Sequence, residues 1–318
     1  MNAEIKKIVV FGASSRMGIA QVRELIKRGY SPRAITRQRE IFDDREFAGL
    51  EIQPADYDDP ASLDKALMGT DAVLFQAPSF GAPPDVLRQC ANVRDAILRI
   101  GTKHLVFNTT GWVPNDSQYP CGEPWYDHMH MVEKILKVDL PLTILRPVLV
   151  ADNLLTLFAR PALVHEGVFR YCHSPEFKAA WISSEDIASL MVETLSHPEL
   201  IGEALTVGGP ANIQTGQLLR ILSDAIGREI THEYVEPRAF GELMYTKVGA
   251  DKFAPKAPFV DHFDSFYGFN LHSPYHPMEV DMNPVLERLP VELTPLDVWA
   301  KRQDWRPEAV INTGSLGG

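Results

Sequence analysis

The stretch from Ile8 to Gly18 reads IVVFGASSRMG and decides the fold. Its first four residues form a continuous apolar run, as expected for a short strand buried on both faces of a parallel sheet. The small residues that follow lead into residues 17–28, whose apolar side chains recur near helical spacing. A strand that runs through a small-residue loop into a helix predicts an anion-binding turn, because the helix N-terminus carries unpaired N–H groups.

Outward from this stretch, apolar runs alternate with helical segments through the first half of the chain. Strands are predicted at 8–11, 34–36, 50–52, 72–75, 104–107 and 142–145, and helices at 17–28, 62–68, 84–100 and 124–137. Strands separated by helices form parallel βαβ units with right-handed crossovers. The predicted fold class is α/β, a Rossmann-type doubly wound parallel sheet that binds its ligand at the carboxyl ends of the strands.

The pattern is looser after residue 150. Helices are predicted at 153–165, 185–196, 214–226 and 237–248, and strands at 181–183 and 205–207. Residues 253–283 are rich in Pro and aromatic residues, show little periodicity and are expected to form a long loop. We expect a cofactor domain over 1–150 and a smaller, mixed α/β substrate domain over 151–318, with parts of 181–208 as candidates to return to the first sheet.

The composition restricts the class of protein. Of 318 residues, 45% are hydrophobic and 23% charged, which are globular proportions. The formal net charge of −11 argues against a nucleic-acid partner, because an acidic surface repels a phosphate backbone. Three widely spaced cysteines without a CxxC pair exclude a zinc ribbon and favour a reducing, cytoplasmic setting. No run approaches the roughly 20 apolar residues that a membrane helix needs.

The loop after the first strand predicts a dinucleotide site. Gly12 permits a tight turn, Gly18 permits close packing of helix on strand, and Ser15 replaces the usual middle glycine. Where an NAD site carries an acidic residue, this chain has Arg37, with Arg16 in the loop as a second cation. Two guanidinium groups near a 2′-phosphate favour NADP(H) over NAD(H). The alternatives are a βα turn without a ligand and arginines that are solvated surface charges.

Further motifs occur in a fixed order along the chain. They are GASSRMG at 12–18, ADYDDPASL at 55–63, GTDAV at 69–73, LPLTILRP at 140–147, DNLL at 152–155 and WISSEDIA at 181–188. Together they resemble the NmrA-like branch of the atypical short-chain dehydrogenase/reductase superfamily. The resemblance implies a Rossmann-type NADP(H) site and a small C-terminal substrate domain.

The resemblance also implies where the cofactor lies. Asp56 is expected near the adenine, residues 76–78 beside the adenosine ribose, Thr109 or Thr110 at the end of the fifth strand, and Pro147 beside the nicotinamide. The full set of expected cofactor-binding residues is Gly12, Ser14, Ser15, Arg16, Met17, Gly18, Arg37, Asp56, Gln76, Ala77, Pro78, Thr109 and Pro147.

The helix before the sixth strand departs from the family pattern. With Val132 and Glu133 setting the register, the family's Lys falls on Met129 and its Tyr partner on Trp125. Neither side chain performs acid–base chemistry. Tyr126 stands one residue later, with a histidine four residues on, at the spacing that places two side chains on one helical face.

Tyr126 and His130 are therefore candidates for a displaced catalytic dyad. One residue rotates a helix by about 100°, so they point away from the apolar stripe of the same helix, with solvent as one environment. That stripe is expected to face the core and consists of Trp125, Met129, Val132 and Leu136. The alternative is a site without an acid–base pair, in which water, Thr110, Tyr126 or a histidine delivers the proton.

Aromatic residues provide the substrate candidates. Residues 259–269 fit a lid over the nicotinamide, a docking surface for a protein, or a loop packed on its own core. The substrate candidates are Trp112, Asn153, Phe263 and Phe266. The histidine pairs at 128 and 130 and at 272 and 276 have chelating spacing but no clear third ligand, so no metal is expected.

Two functional hypotheses remain open, with a weaker third. The first is an NADPH-dependent reductase of a small apolar carbonyl, quinone or conjugated substrate. The second is a non-catalytic, NADP(H)-binding redox sensor that binds a protein partner, suggested by Met129 at the Lys position. The third is non-redox chemistry such as isomerisation with the dinucleotide retained. The sequence leaves the oligomeric state open.

Overall fold

The computed structural model describes residues 5–78, 83–115, 123–250, 255–307 and 309. The strands are β1 (Lys7–Phe11), β2 (Ser31–Ile35), β3 (Glu51–Gln53), β4 (Ala72–Gln76), β5 (His104–Asn108), β6 (Leu142–Pro147), β7 (Leu149–Val150), β8 (Val168–Tyr171), β9 (Lys178–Ala179), β10 (Trp181–Ile182), β11 (Ala204–Val207), β12 (Ile213–Gln214) and β13 (Thr231–Tyr234). The helices are α1 (Arg16–Lys27), α2 (Pro60–Leu67), α3 (Pro83–Ile100), α4 (Pro124–Leu136), α5 (Ser184–Thr194), α6 (Thr215–Ile226), α7 (Pro237–Lys247), α8 (Lys256–His272), α9 (Asn283–Leu286) and α10 (Leu296–Lys301).

Seven strands form one parallel sheet in the order β11-β6-β5-β4-β1-β2-β3. The central strands carry fully buried Val, Leu, Ile and Phe side chains because helices cover both faces. One face packs against α1 and α5, and the other against α2, α3 and α4. The prediction of a Rossmann-type doubly wound sheet is confirmed. The strand order reverses between β1 and β4, which places the ligand crevice at their carboxyl ends.

Later parts of the chain also contribute to this sheet. Residues 204–207 form β11, which pairs with β6 as an edge strand. Residues 181–182 form a strand as well, but β10 pairs with β7 outside the main sheet. The division of the chain at residue 150 stays a prediction.

A second layer is built around aromatic side chains. Its buried core includes Trp112, Tyr126, Tyr171, Phe240 and Phe263. Helices α7 and α8 cross closely here because α7 carries a glycine, Gly241, at the contact. A Cβ atom at that position would lie 2.8 Å from the Phe263 Cβ atom.

The expectation of a long loop over 253–283 is wrong, because residues 256–272 form α8. The helix has little amphipathic pattern, since its own aromatic or half-buried side chains point in nearly all directions around its axis. It packs against α7 and α4 and borders the aromatic core, so it has no broad polar face. Pro258 and Gly268 weaken the helical signal further.

The helix expected over 153–165 is also absent. A 3-10 turn covers 151–155 and a π-type turn covers 162–166. Thr156 lies between them with an extended backbone. Its hydroxyl donates to the Asn153 carbonyl at 2.7 Å and accepts from the Phe158 N–H at 3.3 Å. These local bonds replace the helical hydrogen bonds.

No helix within the described residues is long and apolar enough to cross a bilayer.

Candidate active site

The loop between β1 and α1 has the geometry of an anion-binding turn. Gly12 adopts a φ of 63°, in the left-handed region that glycine enters without strain. Ser15 caps α1, and its Oγ atom accepts the Gly18 N–H at 3.0 Å. The N-terminus of α1 therefore lies at the carboxyl end of β1, where an anion would meet its N–H groups.

Gly18 is required for space rather than for backbone conformation. A Cβ atom at this position would lie 2.3 Å from the Gly12 carbonyl oxygen and 2.6 Å from the Ala13 Cα atom. Both atoms belong to the backbone and cannot rotate away. The helix therefore approaches the preceding turn as closely as only glycine allows.

Polar side chains at the adjacent strand ends retain unused hydrogen-bonding capacity. The Gln76 amide donates to Ser15 Oγ at 3.0 Å, and its Oε1 atom is buried without a partner. The Nδ2 atom of Asn108 is likewise buried and unpartnered. Because Ser15 Oγ already accepts two hydrogen bonds, its own proton is available to an acceptor. A dinucleotide with phosphate and ribose oxygens fits this set of donors and acceptors.

The two arginines predicted to share one phosphate lie in different places. Arg37 is exposed just beyond β2 and makes no hydrogen bond or ion pair with the described residues. Arg16 instead donates to the Asp152 carbonyl oxygen at 2.7 Å. Asp152 follows β7 on the β6 side of the sheet, whereas β2 lies on the other side of β1. The two guanidinium groups therefore do not face one another in this structure, and their shared contact with a 2′-phosphate stays a prediction.

Asp152 is a buried carboxylate that the sequence analysis quoted without a role. Its Oδ2 atom accepts the Ser184 N–H at 2.9 Å, and its Oδ1 atom lies 3.8 Å from Arg16 Nε. Burial raises the pKa of Asp152 to about 6, with Glu185 adding to the rise and Arg16 opposing it. Asp152 thus connects the anion-binding turn after β1 to the start of α5.

The remaining expected cofactor residues fall in two environments. Met17, Thr109 and Pro147 are buried, and Thr109 Oγ1 donates to the Gly111 carbonyl at 2.6 Å. Ser14 and residues 77–78 are half-buried at the carboxyl ends of the strands, and Asp56 is exposed in the loop before α2.

The face of α4 matches its apolar pattern. Met129, Val132 and Leu136 are buried against the sheet, and Trp125 packs against both the sheet core and the aromatic core. Trp125 lies close to the end of β5, because a Cβ atom on Gly111 would be 3.9 Å from its indole nitrogen.

Tyr126 does not face solvent, so that expectation is wrong. Its side chain is fully buried, edge-on to Trp112 at 5.4 Å between centroids, and its hydroxyl donates to Asn270 Oδ1 at 2.9 Å. Burial raises the pKa of Tyr126 above its ordinary value. His130 is half-buried on the same helix. The phenol is thus held inside the aromatic core by α8.

A cavity of about 80 Å³ lies at the carboxyl ends of β5 and β6. It brings together three predicted residues, Thr110, Asn153 and Phe266, with residues that the sequence analysis did not select. The unselected lining residues are Gly111, Val148, Leu149, Val150, His173, Phe177, Tyr267, Asn270, Leu271 and Met278. Thr110 enters with a φ of 60°, a strained conformation for a β-branched residue that occurs most often at functional sites.

Two predicted substrate residues, Trp112 and Phe263, are not among the residues that line the cavity. Trp112 stacks on Phe269 at 6.1 Å, and Phe263 packs against Phe240 and Phe259. His173 was missed although a signal exists. Phe169, Tyr171 and His173 alternate along the chain, so the strand period places them on one face.

Comparisons with known proteins agree with this geometry. The model of the NmrA-like family matches residues 4–299. The chain is 27% identical over 225 residues to an NAD(P)H azoreductase of Xenophilus azovorans, over 71% of this chain and 76% of that protein.

Two solved structures share the fold. The triphenylmethane reductase of Citrobacter sp., complexed with NADP(H), has a TM-score of 0.73 at 20% identity and covers 93% of this chain and 99% of its own. The NADPH-dependent quinone oxidoreductase of Escherichia coli, complexed with NADPH, has a TM-score of 0.73 at 20% identity. The match covers 92% of this chain and 98% of the oxidoreductase chain. The family model spans nearly the whole chain and its motifs lie at the ligand crevice, so this protein belongs to the NmrA-like family.

Proposed function

We propose that this protein is an NADPH-dependent reductase of a small, largely apolar carbonyl, quinone or conjugated substrate. The observation that carries the proposal is the position of the aromatic cavity. It opens at the carboxyl ends of β5 and β6, on the same sheet edge as the anion-binding turn after β1. The related azoreductase and the two similar reductase structures support the choice of cofactor.

The chain offers a separate group for each part of the dinucleotide. The N-terminus of α1 and the Ser15 hydroxyl would hold the diphosphate, and the buried Gln76 Oε1 atom would accept a ribose hydroxyl. Arg37, which is exposed beyond β2, would bind the 2′-phosphate. When bound, the dinucleotide supplies a hydride from C4 of its nicotinamide.

The cavity selects the reacting end of the substrate. Phe177, Phe266, Tyr267 and Met278 give it largely apolar walls. Its volume of about 80 Å³ is smaller than the roughly 150 Å³ cavity that encloses a benzene molecule in an engineered protein. The rigid structure therefore admits only part of a ring, and the remainder of a substrate extends toward the opening.

Thr110 is the proton donor that this geometry favours. It lines the cavity and is exposed, so its hydroxyl contacts both substrate and water. Tyr126 is less suited, because its hydroxyl is buried and donates to Asn270. A proton that reaches the substrate oxygen through Thr110 would be replaced from solvent.

Binding and turnover test the proposal separately. We expect purified protein to bind NADPH more tightly than NADH in a fluorescence titration, and to oxidise NADPH with at least one member of a panel of quinones, enones and aldehydes. A protein that binds no nicotinamide nucleotide would contradict both the cofactor and the reductase.

A cofactor-dependent regulator is the second candidate. Met129 stands at the Lys position, and the neighbouring phenol of Tyr126 is already hydrogen bonded. Tight NADPH binding without turnover of any substrate would favour this candidate. A protein partner should then be retained differently by protein loaded with NADPH and with NADP⁺.

A further inference from the structure

His173 is a buried imidazole in the wall of the cavity. Its side chain is 3% exposed and stacks on Phe177, with centroids 4.1 Å apart and planes 17° from parallel. Tyr171 lies 4.6 Å away and Trp181 meets the ring edge-on at 5.8 Å. Aromatic side chains therefore pack around the ring.

The imidazole has hydrogen-bonding capacity that the described residues leave unused. Its Nδ1 atom is closed to solvent and has no partner. Its Nε2 atom also bonds to no other described residue but is not closed to solvent, so it is the ring nitrogen that a ligand can reach. A polar ring that lines a cavity without a protein partner is a candidate to bind a ligand.

The other deep polar groups of the cavity are already paired. Asn270 accepts from Tyr126 and donates to the Phe266 carbonyl at 2.7 Å. The Tyr267 hydroxyl bonds to that of Tyr171 at 3.1 Å. Thr110 and Asn153 lie where solvent reaches them. Among the described lining side chains, His173 is the deep one that a ligand can still engage.

The imidazole is neutral under ordinary conditions. Burial, with a smaller contribution from His232, lowers the pKa of His173 to about 3. The His232 Nε2–H donates to the His173 carbonyl oxygen at 3.0 Å, not to the ring. A neutral imidazole offers one N–H donor and one nitrogen acceptor.

We propose that His173 anchors the substrate by hydrogen bonding to an oxygen carried on an aromatic ring, so that the cavity prefers oxygen-bearing rings to bare hydrocarbon rings. The enclosed part of the ring would lie against Phe177, Phe266 and Tyr267, and the rest would extend toward the opening. The inference rests on the proposed function for the cavity's role as the substrate site. His173 would bind and orient the oxygen, and as a neutral group it would not protonate it.

Two ring probes test this without the cofactor. Phenol and toluene have nearly the same shape, and only phenol carries an oxygen. We expect the wild-type protein to bind phenol about tenfold more tightly than toluene, measured by calorimetry or ligand-observed NMR. Equal affinities, or no binding of phenol, would overturn the proposal whatever any variant does.

The variant His173→Phe replaces the imidazole with a phenyl ring, which stays aromatic and carries no nitrogen. We expect it to lose the preference for phenol and to gain stability without ligand, with Tm rising by about 2–4 °C, because an unpartnered polar group has been removed from the interior. If His173 made a structural hydrogen bond within the protein, His173→Phe would lose that bond and would be less stable than the wild type. A retained tenfold preference for phenol would overturn the proposal.

His104 supplies the matched control. It is also a buried histidine, 1% exposed, but its Nε2 atom hydrogen bonds to Thr143 Oγ1 at 2.9 Å, far from the cavity. We expect His104→Phe to lower Tm and to leave the phenol preference unchanged.

Turnover measurements distinguish the proposed reductase activity from the proposed anchoring role of His173. Loss of the phenol preference in His173→Phe, with no NADPH oxidation by the wild type on any substrate, would remove the reductase and keep the anchoring role. Turnover with an unchanged KM in His173→Phe for an oxygen-bearing ring substrate would keep the reductase and overturn the anchor.

Discussion

The dinucleotide loop and the aromatic cavity lie on the same edge of one sheet but are built differently. The loop, residues 12–18, is one continuous segment whose turn, cap and close packing are set by its own glycines and serine. The cavity combines side chains from residues 110–111, 148–153, 173–177 and 266–278. A site formed within one segment keeps a recognisable pattern, whereas a site assembled from distant segments does not.

Gly18→Ala should break the loop most severely. The added Cβ atom would meet backbone atoms at 2.3 Å and 2.6 Å, so we expect the free energy of unfolding to fall by about 3 kcal/mol or more. Urea denaturation measures the loss of stability, and NADPH titration measures the loss of cofactor affinity that we expect with it. Gly216→Ala is the control, since apart from its chain neighbours and the backbone of its own helix no described atom lies within 4 Å of its Cβ position. Wild-type stability in Gly18→Ala would contradict the packing role.

Asp152→Asn tests the buried contact between the loop after β1 and the start of α5. The folded pKa of about 6 exceeds the usual 3.8, so near pH 5 the native state holds a proton that the unfolded state has released. This contribution to stability is present below about pH 4 and is lost as pH rises to 6, by roughly 3 kcal/mol in total. We expect the stability of Asp152→Asn to lack this fall between about pH 4 and about pH 6. Urea denaturation at several pH values measures it.

Glu185 provides the control for this pH dependence. Its charge adds to the raised pKa of Asp152, so Glu185→Gln should move the loss of stability to lower pH without abolishing it. Identical pH profiles for wild type and Asp152→Asn would contradict the assignment.

Arg37→Ala should discriminate between the two dinucleotides. A charge-assisted bond to the 2′-phosphate contributes about 1.5–3 kcal/mol, so we expect NADPH affinity to fall roughly 10- to 150-fold while NADH affinity changes little. Arg39, two residues on, bonds to the Ile52 carbonyl at 3.3 Å, and Arg39→Ala is the control. Equal losses of affinity for NADPH and NADH would contradict the proposed contact between Arg37 and the 2′-phosphate.

Tyr126→Phe should have the smallest effect. It removes the hydroxyl that donates to Asn270, and we expect a loss of about 1 kcal/mol in stability with kcat changed by less than a few-fold. Tyr171→Phe is the control, because it removes another buried hydroxyl, paired with Tyr267. A fall in kcat of about 100-fold or more would restore Tyr126 as the proton donor.

The sequence by itself determined the sheet, the anion-binding turn and the apolar face of α4. Buried strands, Gly12 and Gly18, and the stripe through Met129 depend on residues close in the chain, whose spacing carries the signal. The family followed from the same local motifs.

Only the tertiary structure decided which side chains meet. Arg16 bonds to a residue 136 positions away, and Tyr126 to one 144 positions away. His173 became a candidate because packing buried it beside the cavity without a partner. Helix α8 was hidden because aromatic contacts along most of its surface remove the amphipathic period. Partners across such separations are selected by the packing of the whole chain, and local spacing holds no record of them.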